Sequence, residues 1–270
     1  MPPTYASNPT PYEDVNTILR LLYTKQLEVL GSQLVGLYLY GSLSLGDFDP
    51  ASSDIDFLTV TAEELSVETT DALRAMHEEI ARSGLPYADH LEGSYIPCAA
   101  LRRYDPDHSR HPSIGVDWEF HVGEHGNNWI IERQIVREHG VVIYGPAPQT
   151  LIDPVSPQEL RAAVCRHLKT QWQQQMLAGD LEWLRPRNYQ AFAILTMCRA
   201  LYTLQHNTTI SKPQAAVWAQ ERYPQWRPVI ERALVWRSQT EKDDLTETIT
   251  FVHVALAQAL ALCGDEDNVS

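Results

Sequence analysis

A chain of 270 residues, 44% apolar and 21% charged, is long enough to bury two modest cores and has the balance of an ordinary globular protein. Its formal net charge of −14 excludes a broad nucleic-acid surface, which needs a basic stripe to neutralise phosphates, and suits a small cationic partner. The start MPPTYASNPTPYED has neither a basic n-region nor an apolar h-region, and no apolar run approaches the ~20 residues of a membrane span, so the expectation is a cytoplasmic protein without membrane contact.

Residues 1–12, rich in Pro, Ser, Thr and Asn, read as a loose lead-in. Val15, Ile18, Leu19, Leu22 and Val29 recur at near-helical spacing, predicting a helix over 13–30 that stops at Gly31. The stretch 35–60, VGLYLYGSLSLGDFDPASSDIDFLTV, reads as two short buried strands joined by a polar loop that begins at Gly41-Ser42. Alternation on the second strand puts Asp54 and Asp56 on one face and Ile55 and Phe57 on the other. Between residues 31 and 60 there are four aspartates (Asp47, Asp49, Asp54, Asp56) and no Lys or Arg, so a divalent cation is the missing partner.

A polar helix follows over 67–83, then a strand over 90–97 (HLEGSYIP) that carries Glu92. Residues 105–112 (DPDHSRHP) read as a loop, 116–122 as a strand that carries Asp117 and Glu119, 128–138 as a helix, and 141–144 as a short buried strand closed by Gly145-Pro146. Beyond Pro157 the strand signals stop, and helices are predicted over 157–178, 188–205, 213–222, 227–237 and 245–262. The fold class is therefore α+β, with a boundary near residue 155 between a mixed strand-and-helix half, 1–155, and an all-helical half, 156–270.

Cys98, Cys165, Cys198 and Cys263 are too scattered for a disulfide framework or a metal knuckle and read as buried thiols. His108 and His111 beside Asp105 and Asp107 lie in a loop without a fixed scaffold, and His121 and His125 straddle a strand end, so neither pair reads as a metal site. From 185 to 237 there are eight Lys or Arg against two acids, either a solvated helix surface or a grip for polyphosphate. Arg199 stands apart, because it lies in the apolar run AFAILTMCRALYTL, where a charge needs a partner or a cavity.

The ordered set Gly41-Ser42, Asp54-x-Asp56 and Glu92 resembles the polymerase-β type of nucleotidyltransferase. The turn at Gly41 lets the backbone approach phosphates, and carboxylate-held metal ions neutralise a triphosphate and help activate a hydroxyl. Within that superfamily the chain is similar to the bacterial aminoglycoside adenylyltransferases of the streptomycin and spectinomycin type. The anchors are LYLYGS, SDIDFLTV, LEGSYIP, YGPAPQTLIDPVS at 144–156, LTMCRALYT and ISKPQAAVWA at 210–219, spread in order over residues 36–255.

The resemblance implies a nucleotidyltransferase domain with a mixed sheet over 1–155 and a helical domain over 156–270 that binds substrate and nucleotide. It implies Asp54 and Asp56 as metal ligands, Glu92 as general base and third carboxylate, Gly41 and Ser42 on the phosphates, and Arg199 and Lys212 on the nucleotide. Asp117 and Glu119 are the rivals of Glu92. Where the family commonly has Gly-Glu-Trp, this chain has Gly123-Glu124-His125, so an aromatic wall near the substrate is replaced. Asp180, Glu182 and Trp183 occupy the stretch where the family places acidic and tryptophan side chains for a cationic antibiotic.

The implied reaction uses ATP with Mg²⁺, two ions, to place AMP on a hydroxyl of a small cationic polyhydroxylated acceptor such as an aminocyclitol, releasing pyrophosphate. The expected enzyme is a monomer with no nucleic-acid partner. Two alternatives stand beside it: the same chemistry on another small molecule or a protein hydroxyl, and a nucleotide-binding regulatory module without turnover.

Overall fold

The computed structural model describes residues 5–115, 119–126 and 128–264. The chain divides into two compact units, Met1–Pro154 and Val155–Ser270. In the first, helix α1 (Glu13–Leu30) opens with two acids at the positive end of its dipole, buries Val15, Ile18, Leu19 and Leu22, and ends where Gly31 turns at φ +50°. Its six strands are β1 (Leu34–Leu39), β2 (Ile55–Thr61), β3 (Leu91–Pro97), β4 (Arg110–Ile114), β5 (Phe120–Glu124) and β6 (Val141–Tyr144). They form one mixed sheet in the order β5-β4-β3-β2-β1-β6, in which only β2 and β3 run parallel. The parallel pair needs a crossover, and helix α3 (Val67–Ala81), capped by Ser66, supplies it.

Strand alternation builds two cores. Leu37, Leu39, Ile55, Phe57 and Tyr95 pack on α1 and α3, whereas Tyr38, Tyr40, Leu58, Val60 and Ile96 pack on the other face with α4 (Cys98–Arg102) and α5 (Asn128–His139). On the first face lies a buried chain of polar groups: Thr59 Oγ1 donates to Gln26 Oε1 (3.0 Å), Gln26 Nε2 donates to the Tyr95 hydroxyl (3.0 Å), and His77 Nε2 lies 2.7 Å from that hydroxyl, while His77 Nδ1 has no partner among the described residues.

The second unit is helical: α6 (Pro157–His167), a π-helical turn (Leu168–Trp172), α7 (Gln173–Ala178), α8 (Arg187–His206), α9 (Lys212–Arg222), α10 (Arg227–Trp236) and α11 (Thr246–Gly264). A capping box between Ser156 and Glu159 starts α6, and Ser211 caps α9. The long α8 lies at the centre, packed by α9, α10 and α11.

Several expectations need correction. Residues 110–114, assigned to a loop and its flank, form β4, and the strand expected over 116–122 is Phe120–Glu124, with residues 116–118, Asp117 included, outside the described residues. The loop after Gly41 begins with a short helix, α2 (Gly41–Leu45). The single helix expected over 157–178 is interrupted by the π-helical turn. Cys165 and Cys263 are not thiols: they form a disulfide between α6 and α11, while Cys98 and Cys198 are free. Finally, α11 is long and apolar enough by length and composition to cross a membrane. Its Phe251, Val252, Ala255, Leu256 and Ala259 are buried within this unit.

Candidate active site

Antiparallel pairing of β1 with β2 and parallel pairing of β2 with β3 set three residues in a row across one face of the sheet. Tyr40 N donates to Asp56 O (3.1 Å), and Asp56 stands in register with Glu92. Neighbouring strands lie roughly 4.8 Å apart, so the row brings Tyr40, Asp56 and Glu92 side by side. Asp56 precedes the buried Leu58 and Val60 on this face, and Glu92 precedes Ser94 and Ile96, so both acids occupy the open end of an apolar face. Both are half-buried, as is Asp54 just ahead of β2.

Gly41 holds the row from one side. Its φ is +61°, and a Cβ built there would sit 1.8 Å from Asp56 Oδ2, so the carboxylate lies directly on the glycine backbone. Any larger residue displaces it. Ser42 follows in α2, where its carbonyl accepts from the Asp47 and Gly46 amides. Burial first, then the carboxylates of Asp56, Glu132 and Glu92, push the Tyr40 hydroxyl pKa far above its ordinary value.

Glu132 is therefore a further acid facing this row, and the sequence reading missed it. The signal was present: Glu132 and Arg133 interrupt the α5 stripe that continues through Trp129, Ile135 and Val136.

Among the described residues, no group of three His, Cys, Asp or Glu side chains is gathered into a metal site. Asp54, Asp56 and Glu92, expected to share a metal, are thus not gathered into one such group; an Mg²⁺ site commonly takes one or two carboxylates and is completed by phosphate and water oxygens. The carboxylate pressed onto Gly41 at the open end of the sheet fits such an ion delivered with a nucleotide.

Comparison with known proteins bears on the same region. A nucleotidyltransferase-domain model matches residues 24–113, and a model described as the C-terminal domain of aminoglycoside adenylyltransferase matches residues 150–260. An Escherichia coli protein, aminoglycoside (3'') (9) adenylyltransferase, is 30% identical over 258 residues, covering 86% of this chain and 89% of that one. The chain belongs to the aminoglycoside adenylyltransferase family. It is a nucleotidyltransferase enzyme, as the row of carboxylates led us to expect.

A relative of the same name from Klebsiella pneumoniae is 31% identical over 223 residues, 74% of this chain and 76% of its own. The crystal structure of spectinomycin adenyltransferase AAD(9) from Enterococcus faecialis with ATP and spectinomycin shares the fold, with a TM-score of 0.71 at 18% identity over 90% of this chain and 98% of that one.

In the helical unit of the enzyme, Lys212 begins α9 and its Nζ lies 4.2 Å from the centre of the Phe192 ring on α8. Arg199 is seven residues further along α8, hence on the same stripe and about 10 Å away along the axis. It is half-buried, and its charge, after burial, helps hold the pKa of His167 below the ordinary value. Phe192 stacks on Trp172 of the π-helical turn (6.0 Å between centres), Trp172 lies 6.3 Å from Trp183, and Trp183 meets Tyr189 edge-on at 6.2 Å. Trp183 thus belongs to an aromatic cluster with Lys212 at its margin.

Glu182 is ion-paired with Arg185 (2.9 Å), whereas Asp180 accepts weakly from the Glu182 amide (3.4 Å). Glu124 is exposed on edge strand β5 opposite Arg110. His125 is buried and stacks flat on Trp129, 4.3 Å between centres. The ring at the replaced position is therefore an inner one. Neither histidine pair converges on a metal: His108 is exposed and bonded to Asp105 while His111 is buried, and His121 is exposed while His125 is buried. Much of the basic stretch is paired, Arg187 with Asp243 and Arg232 with Glu247.

Proposed function

We propose that the enzyme moves AMP from ATP to a hydroxyl of an aminoglycoside or aminocyclitol, with Mg²⁺, and releases pyrophosphate. The observation that carries this reading is the register of Glu92 with Asp56, whose carboxylate is seated on Gly41. Asp54 and Asp56 would hold the ions, with Glu92 as the third carboxylate, and Mg²⁺ there would supply charge neutralisation to the triphosphate.

The rest of the work falls to side chains of this chain. Glu92 takes the proton of the acceptor hydroxyl as it attacks. Amides at Gly41 and Ser42, with the Ser42 hydroxyl, bond phosphate oxygens. Arg199 and Lys212 contact the nucleotide, and the aromatic cluster around Trp183, with Asp180 and the Glu182–Arg185 pair, offers faces and charge to an ammonium-bearing ring. Glu124, exposed on β5, would face the acceptor in this reading, and His125, buried against Trp129, would back that wall from the inside. The net charge of −14 favours approach of such a cation. ATP as co-substrate supports a cytoplasmic setting for the reaction.

The test is direct. Purified protein with Mg²⁺, ATP and streptomycin or spectinomycin releases pyrophosphate and yields an acceptor heavier by one adenylyl group in mass spectrometry. Silence across a broad aminoglycoside panel removes this acceptor class.

A further inference from the structure

The sheet unit has a small pocket, partly open to solvent, whose lining includes Tyr104, Asp105, His111, His125, Trp129 and Arg133. Arg133 is only 6% exposed, yet its Nε and Nη1 have no hydrogen-bond partner among the described residues. Nη2 donates to the Ala100 carbonyl, and the Tyr104 ring lies 5.9 Å from the guanidinium carbon. His111 and His125, 3% and 8% exposed, each bury an Nδ1 without a partner. Burial pushes their pKa values down, to about 4 and about 3, so both rings are neutral near pH 7 and the guanidinium is the buried charge. Asp105 does not pair with it, since its carboxylate accepts from His108 Nδ1 (2.9 Å) and the Asp107 amide (3.0 Å).

A charge taken out of water is retained when an opposite charge comes with it. A trapped water hydrates the guanidinium but leaves the charge uncompensated. A neutral imidazole still donates one N–H, and two such donors beside a guanidinium suit one acceptor of single negative charge. We propose that this pocket binds one small monovalent anion, a halide or a formate-sized carboxylate, neutralised by Arg133 and hydrogen-bonded by His111 and His125. A phosphate dianion is disfavoured, because one buried cation faces it and Asp105 lines the same pocket.

Ser94 Oγ lies 3.4 Å from His125 Nε2 and follows Glu92 by two residues on the same face of β3, so the anion sits behind the carboxylate row. Its role is to stabilise the packing of α5 on the sheet. The inference stands independently of the adenylyl-transfer reading.

The experiment is thermal unfolding of the full chain in sodium bromide or sodium formate against sodium gluconate, whose anion is too large for the pocket, at constant ionic strength. At ten times the dissociation constant the expected rise in Tm is roughly 3–5 °C. The rise disappears in Arg133→Met, and crystals grown in bromide show an anomalous peak within hydrogen-bond reach of Arg133. No rise in the parent, an equal rise in Arg133→Met, or a water at that position overturns the proposal. Should Arg133→Met not fold, the parent's response with the bromide peak decides it: both together support the site, and a peak without a rise is an adventitious ion only.

Discussion

In the unit Met1–Pro154 four neutral side chains are linked in the interior: Thr59, Gln26, Tyr95 and His77 form one chain of hydrogen bonds beneath the sheet. In Val155–Ser270 a disulfide and arginine side chains supply long-range ties, beside one buried neutral pair in which Thr248 Oγ1 donates to Gln190 Oε1. Cys165–Cys263 joins α6 to α11, Arg161 donates to the last carbonyls of α8 and α11 at Leu204 and Leu262, and Arg187 pairs with Asp243 at 2.9 Å. A network of neutral groups in a core answers to protons, and a disulfide answers to electrons. The two units should therefore fail under different conditions, and each prediction below breaks or sharpens that contrast.

The largest effect concerns the disulfide. It closes a loop across a sequence separation of 98, for which chain entropy gives about 4.7 kcal/mol. Reduction, or Cys165→Ala, should raise hydrogen exchange in α6 and α11 while β1, β2 and β3 stay protected. Uniform loss of protection in both units would show that they do not differ in this way.

Acid comes next. Burial lowers the His77 pKa to about 3, below its unfolded value near 6.5. Fewer protons are bound in the folded than in the unfolded state over that window, so the contribution is complete above pH 6.5 and is lost as pH falls toward 3. For His77 this amounts to roughly 2 kcal/mol by pH 5. His111 and His125 shift the same way and steepen the loss in the sheet unit. Urea midpoints against pH check it, and His77→Phe, set beside Phe57 and Phe120, should flatten the slope.

Gly41→Ala carries the smallest stability cost, about 1 kcal/mol for a non-glycine residue at φ +61°. Its functional cost is larger, because the methyl group displaces the Asp56 carboxylate. Isothermal titration with Mg·ATP should show weakened binding by a variant that remains folded.

The fold class was legible where local pattern and tertiary context agree. Alternation of Asp54 and Asp56 against Ile55 and Phe57 in an apolar run predicted a short buried strand, and the end of strand signals at Pro157 predicted the helical part. Strand β4 was not legible, because RHPSI is polar and carries a proline, and pairing with its neighbours overrides that composition. Pro112 is tolerated there because the ladder to β3 involves only Ser113 and Ile114. Spacing could not reveal Cys165 and Cys263 as a pair. The acids on β2 and β3 were legible as candidates because their strands are unusually apolar around them. Glu132 and Arg133 were not, since a charged residue within an amphipathic helix ordinarily marks the solvated side.

The central claim is that Asp54 and Glu92 have separable duties, one in holding the metal-bound nucleotide and one in taking the proton. Binding of Mg·ATP and pyrophosphate release should be measured side by side for Glu92→Gln and Asp54→Asn. The account predicts that Glu92→Gln binds Mg·ATP as the parent does while transfer falls by about 10²–10⁴-fold, and that Asp54→Asn loses the magnesium-dependent part of binding. Transfer by Glu92→Gln at the parent's rate would contradict it.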